Sequence, residues 1–174
     1  MSKRVYYAGI GSRNTPDHVL NNMKLVALFL ASEGFILRSG GADGADVAFE
    51  SGVNEIKGDK EIYLPWFNFN GSNSNLVVED GLAFEMGKKF HPYWDKLSQG
   101  AKKLQARNCH QVLGQDLNTP SSFVLCYTEG GHGEGGTGQA IRIAKAYDIP
   151  VFDFGLPENK ENPENLKQFL SPFL

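Results

Sequence analysis

Short apolar runs alternate with longer stretches of helical periodicity along this chain. Residues 4–9, 35–39, 61–64 and 122–127 each carry a compact run of Val, Ile, Leu, Phe, Tyr or Ala, and a fifth such run ends at Val151-Phe152. Runs of this length, bounded by Gly, Pro and polar residues, predict buried strands. Between them the spacing predicts helices from Thr15-Pro16 to Gly34, over 42–55, 78–89, 98–113 and 137–147, and a last short one near 163–170. Thr15 is placed to cap the first helix, with Pro16 in its first turn. Leu20, Met23, Leu25, Val26, Leu28, Phe29 and Leu30 supply its apolar face, and Gly34 ends it. The alternation predicts an α/β domain with a mainly parallel sheet of about five strands and helices on both faces.

One segment breaks the alternation. Residues 65–76, Pro-Trp-Phe-Asn-Phe-Asn-Gly-Ser-Asn-Ser-Asn-Leu, carry neither period. An irregular stretch this long is either a lid or binding loop, or a surface loop whose aromatics pack on the core.

Bulk properties narrow the class. The 174 residues suit one domain, and 41% hydrophobic residues fit a globular protein. No stretch approaches the roughly 20 apolar residues of a membrane span. Met1-Ser2-Lys3-Arg4 runs straight into a strand without a signal peptide's apolar region, so the expected location is the cytoplasm. Two cysteines, Cys109 and Cys126, make no disulfide framework, and no ligand pairs at metal spacing occur, so neither a metal nor a resident cofactor is expected. A net charge of −3 without a basic run argues against a large sequence-independent DNA footprint.

The candidate chemistry lies in three glycine-bearing turns, each following a predicted strand. They are Gly9-Ile10-Gly11-Ser12-Arg13, Ser39-Gly40-Gly41-Ala42-Asp43-Gly44-Ala45-Asp46 and Gly130-Gly131-His132-Gly133-Glu134-Gly135-Gly136-Thr137-Gly138. Glycine lets backbone approach a ligand closely, and a helix N-terminus offers free N–H groups and a positive dipole end to phosphate. Three such turns on the carboxyl edge of one parallel sheet point to a nucleotide site. Arg13 is expected to hold phosphate, with Ser12 adding a hydroxyl and a backbone N–H. Asp43, Asp46 and Glu50 share a helix face. Asp43 is read as a dipole-stabilised acid or a ligand group; Asp46 is read as either of these, or as a carboxylate facing a ribose or an oxocarbenium-like transition state. Arg38, one residue before the second turn, needs a partner that Asp43 or Asp46 would supply. Arg107-Asn108 lies in a helical pattern and by itself reads as a solvated face. His132 and Glu134 are acid–base candidates or plain loop residues. Thr137 stands at an expected N-cap after Gly135-Gly136. The dinucleotide fingerprint is broken at Asn14, and no Walker lysine is present.

The chain resembles the superfamily that joins the DNA-processing proteins DprA/Smf to the Lonely Guy phosphoribohydrolases (SLOG). The blocks that carry the resemblance are Gly11-Ser12-Arg13, Ser39 to Asp46, Arg107-Asn108 and Gly135-Gly136-Thr137-Gly138. It is most similar to short single-domain DprA-like proteins of phages and mobile elements, which carry blocks like Tyr63-Leu64-Pro65-Trp66 and Ala106 to Gly114. The resemblance implies a Rossmann-like three-layer domain that binds nucleotides or nucleotide-derived ligands at these turns, and a homodimer.

Two branches of the superfamily imply alternatives: single-stranded DNA binding as in DprA, or cleavage of a nucleoside monophosphate N-glycosidic bond as in Lonely Guy. The second branch uses Pro-Gly-Gly-x-Gly-Thr-x-x-Glu. Here Glu129 precedes Gly130-Gly131-His132-Gly133, Glu134 stands in the threonine position, and Ala140 lies three residues after Thr137. Hydrolysis would therefore fall to Asp46, Glu50 or Glu134.

Overall fold

The computed structural model describes residues 3–79, 81–160 and 162–174. The strands are β1 (Tyr6–Gly9), β2 (Ile36–Ser39), β3 (Lys60–Leu64), β4 (Leu76–Val77), β5 (Phe123–Cys126) and β6 (Val151–Asp153). The helices are α1 (Asp17–Ser32), α2 (Ala45–Asn54), α3 (Leu82–Phe90), α4 (Gln99–Leu113), α5 (Gly135–Ala146), α6 (Pro157–Lys160) and α7 (Pro163–Leu170). Among the described residues one six-stranded sheet runs β4-β3-β2-β1-β5-β6, and each pairing is parallel. The fold is the expected α/β one, with one strand more than the pattern showed. That strand is β4, paired only through Tyr63↔Leu76 and Leu64↔Val77. Two residues are too few to display a period of two.

Parallel strands covered on both faces read as continuous apolar runs, and their side chains alternate between two cores. Tyr7, Phe123 and Leu125 join α1, α2 and α7 in one core. Ala8, Val124 and Cys126 join α4 and α5 in the other. The helix α1 turns Val19, Met23, Val26, Ala27 and Leu30 inward. Leu25 and Phe29, assigned to its inner face by pattern, are 63% and 44% exposed. They lie one turn apart, where they line a surface cavity with Phe152, Phe154 and Leu166.

Three helix starts differ from expectation. Pro16 occupies the N-cap of α1, and the Thr15 hydroxyl donates instead to the Ser12 carbonyl at 2.6 Å. The helix α2 begins at Ala45, because Gly44 takes φ 82° and interrupts helical geometry before it. A Cβ on Gly44 would stand 2.7 Å from the carbonyls of Ser12 and Arg13, so the first two glycine turns touch there. The helix α5 begins at Gly135, which puts Glu134 at the N-cap and Thr137 inside the first turn.

Candidate functional site

The carboxyl ends of the strands open into a cleft of about 460 Å³. It lies beside β1, where the strand order reverses and open α/β sheets leave a crevice. The turn after β1 forms one wall. Ser12 N–H donates to the Tyr127 carbonyl at 3.1 Å, so it is not available to a ligand as expected. The Ser12 hydroxyl oxygen accepts the Asn14 N–H at 3.0 Å. Gly11 and Arg13 line the cleft, and the Arg13 side chain is exposed.

The turn after β2 forms the floor. The Ser39 hydroxyl donates to the Gly9 carbonyl at 2.6 Å, which ties β2 to β1 and keeps this group out of the cleft. Asp46 is only 4% exposed and lines the cleft with Ala42. Its Oδ2 accepts the Ala42 N–H at 3.3 Å. Burial raises its pKa to about 6, against the lowering effects of Arg107, the backbone N–H groups of Ala42 and Gly11, and Arg13.

Asp43 points elsewhere. It accepts the Asn70 side-chain amide at 2.9 Å, and the same amide donates to the Gly41 carbonyl at 3.1 Å. Asp43 and Gly41 thus hold the 65–76 loop against the second turn. Glu50, although one helical turn from Asp46, leaves the site. Its carboxylate pairs with Lys60 Nζ at 2.6 Å, at the start of β3 and the opposite end of that strand from the cleft.

Arg38 is not partnered by Asp43 or Asp46. Its Nε donates to Glu61 Oε1 at 2.9 Å, and its Nη1 donates to the Thr119 carbonyl and to the Ser121 hydroxyl. It lies 4.1 Å from the Tyr6 ring centroid. The strand neighbour Glu61, rather than the following turn, neutralises it.

The helix α4 supplies the far wall. Arg107 and Asn108 are buried rather than solvated. Arg107 Nε donates to Asn108 Oδ1 at 3.0 Å, and its Nη1 donates to the carbonyls of Gly40 and Tyr63. Its guanidinium carbon lies 5.7 Å from the Phe69 ring centroid. Burial lowers the Arg107 pKa, with Asp46 acting the other way. Gln105, Asn108 and Gln111 follow one another at three-residue spacing and all line the cleft. The sequence reading missed Gln105 and Gln111; their signal is this polar stripe beside the buried Cys109, Val112 and Leu113.

The third turn closes the cleft at the N-terminus of α5. Glu134, Gly135, Gly136 and Thr137 line it, and both glycines are exposed. The first N–H groups of a helix have no partner within it. The turn is shaped from below by Asp153, another residue the sequence reading missed. Its Oδ1 accepts the N–H groups of Thr128 and Gly155 at 2.9 and 2.8 Å, and its Oδ2 accepts the Thr128 hydroxyl. Thr128 Oγ1 in turn accepts the Gly133 N–H at 3.0 Å. Gly138 is buried, and a Cβ there would stand 2.2 Å from the Gly133 carbonyl oxygen; its role is packing. His132 is exposed and outside the cleft lining. In the 65–76 loop Phe69 packs on the core while Phe67 is 80% exposed, so that segment serves partly as cover for Arg107. Among the described residues no cluster of metal-ligating side chains forms, and no helix is long and apolar enough to cross a membrane.

No family model matches the chain, and no curated protein matches it in sequence. Its fold is similar to solved structures. DNA processing protein A from Helicobacter pylori, described for its single-stranded DNA binding mode, aligns with TM-score 0.58 and 20% identity over 86% of this chain. The chain spans 64% of that protein's length. The Moco carrier protein of Chlamydomonas reinhardtii aligns with TM-score 0.55 and 18% identity over 98% of this chain and 84% of its own. A protein named TM1055 aligns with TM-score 0.52 and 21% identity over 86% of this chain and 72% of its own. At these identities the likeness is one of fold alone, a Rossmann-like α/β domain.

Proposed function

We propose that the cleft binds a nucleotide or nucleotide-derived ligand. The observation that carries this reading is one cleft lined by two chemically different sets of groups. The first turn of α5 and the exposed Arg13 offer N–H groups and positive charge, which suit a phosphate. The buried Asp46 carboxylate repels phosphate and accepts hydroxyl donors, which suits a ribose. The volume is that of a small-molecule site. Native mass spectrometry of the purified protein, then titration with nucleoside monophosphates and cyclic or ADP-ribose-type nucleotides, tests it. Binding of phosphorylated ligands over their nucleosides is expected. Failure of the whole panel, with salt-sensitive binding of an oligonucleotide instead, would replace this reading by single-stranded DNA binding.

Asp46 favours a second reading, cleavage of a nucleotide N-glycosidic bond. A carboxylate with a pKa raised to about 6 inside a ligand cleft is a candidate reacting group. Water would attack the anomeric carbon and lose a proton. The C–N bond would break, with its electron pair and a proton going to the base, while Asp46 faces the developing positive charge on the sugar. Glu134, exposed at the N-cap of α5, is the other carboxylate on the cleft wall. Release of free base and sugar phosphate, abolished in Asp46→Asn, is the expected signature; intact ligand after prolonged incubation would reduce the protein to a binder.

A further inference from the structure

The cleft floor holds polar capacity that neither phosphate nor ribose uses. The Gln111 side chain is 2% exposed and faces the cleft. Its backbone carbonyl accepts the Ser121 hydroxyl at 3.0 Å, but its amide makes no hydrogen bond among the described residues. The carboxamide thus keeps a donor and an acceptor for whatever fills the cleft. Beside it, Arg107 uses Nε and Nη1 within the protein and leaves Nη2 without a partner among the described residues. The two groups are adjacent. A Cβ built on Gly40 would stand 2.3 Å from Gln111 Nε2 and 2.5 Å from Arg107 Nη1. Gly40 is the residue whose missing side chain allows both to settle there.

We infer that Gln111 and Arg107 read a base of the lactam type, one with a ring carbonyl next to a ring N–H, as in hypoxanthine, guanine or uracil. This rests on the nucleotide reading of the same cleft. A carboxamide and a lactam pair through two antiparallel hydrogen bonds: Gln111 Nε2 donates to the ring carbonyl and Gln111 Oε1 accepts the ring N–H. A carbonyl oxygen has a second lone pair, and the neighbouring Arg107 Nη2 supplies the donor for it. Adenine satisfies Gln111, giving its amino group to Oε1 and a ring nitrogen to Nε2. It has no acceptor left for Arg107, because the single lone pair of that ring nitrogen is already taken by Nε2. The discrimination thus comes from the donor beside the amide.

Inosine and adenosine 5′-monophosphates differ only at this edge, so calorimetric titration of the two, with ribose 5-phosphate as the control, tests the inference. The wild-type protein is expected to bind the inosine nucleotide roughly tenfold or more tightly than the adenosine one. In Gln111→Leu the ratio should fall toward one through loss of inosine nucleotide affinity, while ribose 5-phosphate binds as before. Equal affinities in the wild type, a preference for adenine, or a preference that survives in Gln111→Leu would overturn the role of Gln111 and leave the nucleotide reading in place. Binding of none of the three would overturn the role of Gln111, and failure of the cyclic and ADP-ribose-type nucleotides as well would overturn both. Should Gln111→Leu melt far below the wild type, the wild-type ratio decides.

Discussion

Asn108 on α4 donates its side-chain amide to the Gly136 carbonyl on α5 at 3.0 Å. The same side chain accepts Arg107 Nε through Oδ1. One residue therefore fixes the height of the α5 N-terminus and the angle of the guanidinium on the cleft floor. A pair of polar residues inside a helical pattern becomes a brace between α4 and the α5 N-terminus.

Asn108→Ala is expected to lower stability by about 1 kcal/mol, the net loss of hydrogen bonds at a buried position. It should also weaken phosphorylated ligands several-fold, because α5 loses its fixed height. Urea unfolding and calorimetry on the same preparation check both effects. Lost stability with intact phosphate binding would confine Asn108 to the scaffold.

Arg13→Ala should weaken nucleoside monophosphates by at least tenfold and leave the matching nucleosides nearly unchanged. The side chain is exposed at the cleft mouth, so the fold should tolerate the change. Equal losses for nucleotide and nucleoside would remove Arg13 from the phosphate-binding groups.

Asp46 makes stability depend on pH. Its folded pKa of about 6 lies above the ordinary carboxylate range. The folded state then holds the proton more tightly than the unfolded one, so this contribution is complete below about pH 4 and is lost as pH rises through 6. The difference corresponds to about 3 kcal/mol. Asp46→Asn removes the titration and can still accept the Ala42 N–H. Its stability relative to wild type should climb between pH 4 and pH 7 and then level off. Unfolding free energies at several pH values test this; a constant difference would contradict the buried, charged Asp46.

Tyr7 carries a buried hydroxyl that makes no hydrogen bond among the described residues, while its ring stacks on Phe123 at 5.4 Å. Tyr7→Phe keeps the stack and removes the orphaned oxygen. The substitution is expected to stabilise the protein by about 1 kcal/mol, read as a higher melting temperature. A lower melting temperature would mean that the hydroxyl has a partner.

Strands β1, β2, β3, β5 and β6 were legible because each is an apolar run closed by a turn signal. β4 was not, since its two residues depend on an edge offered by β3. Of the site, the turns at Gly11 and Gly135 could be placed from sequence because glycine next to a strand marks backbone exposure. The destinations of charged side chains could not. Asp46 and Glu50 share a helical face, yet Lys60 draws Glu50 to the other end of the sheet. Asp43 is claimed by Asn70, a loop residue far along the chain. Arg38 finds Glu61 on the neighbouring strand, a pairing set by sheet register rather than by local spacing.

The position of β1 has a consequence for how the protein is made. Tyr7 lies opposite Leu37 on one side and Phe123 on the other. A nascent chain that has left the ribosome only through α4 exposes one flank of its first strand, and the cleft lacks the wall that starts with β5. Contacts so distant in sequence form slowly. The cleft is thus completed only once β5 and α5 have formed, and a ligand that filled it would clasp segments far apart in sequence. At a hundred times its Kd such a ligand would add about 2.7 kcal/mol to the folded state, so occupancy would lock together segments that meet only after β5 has been made.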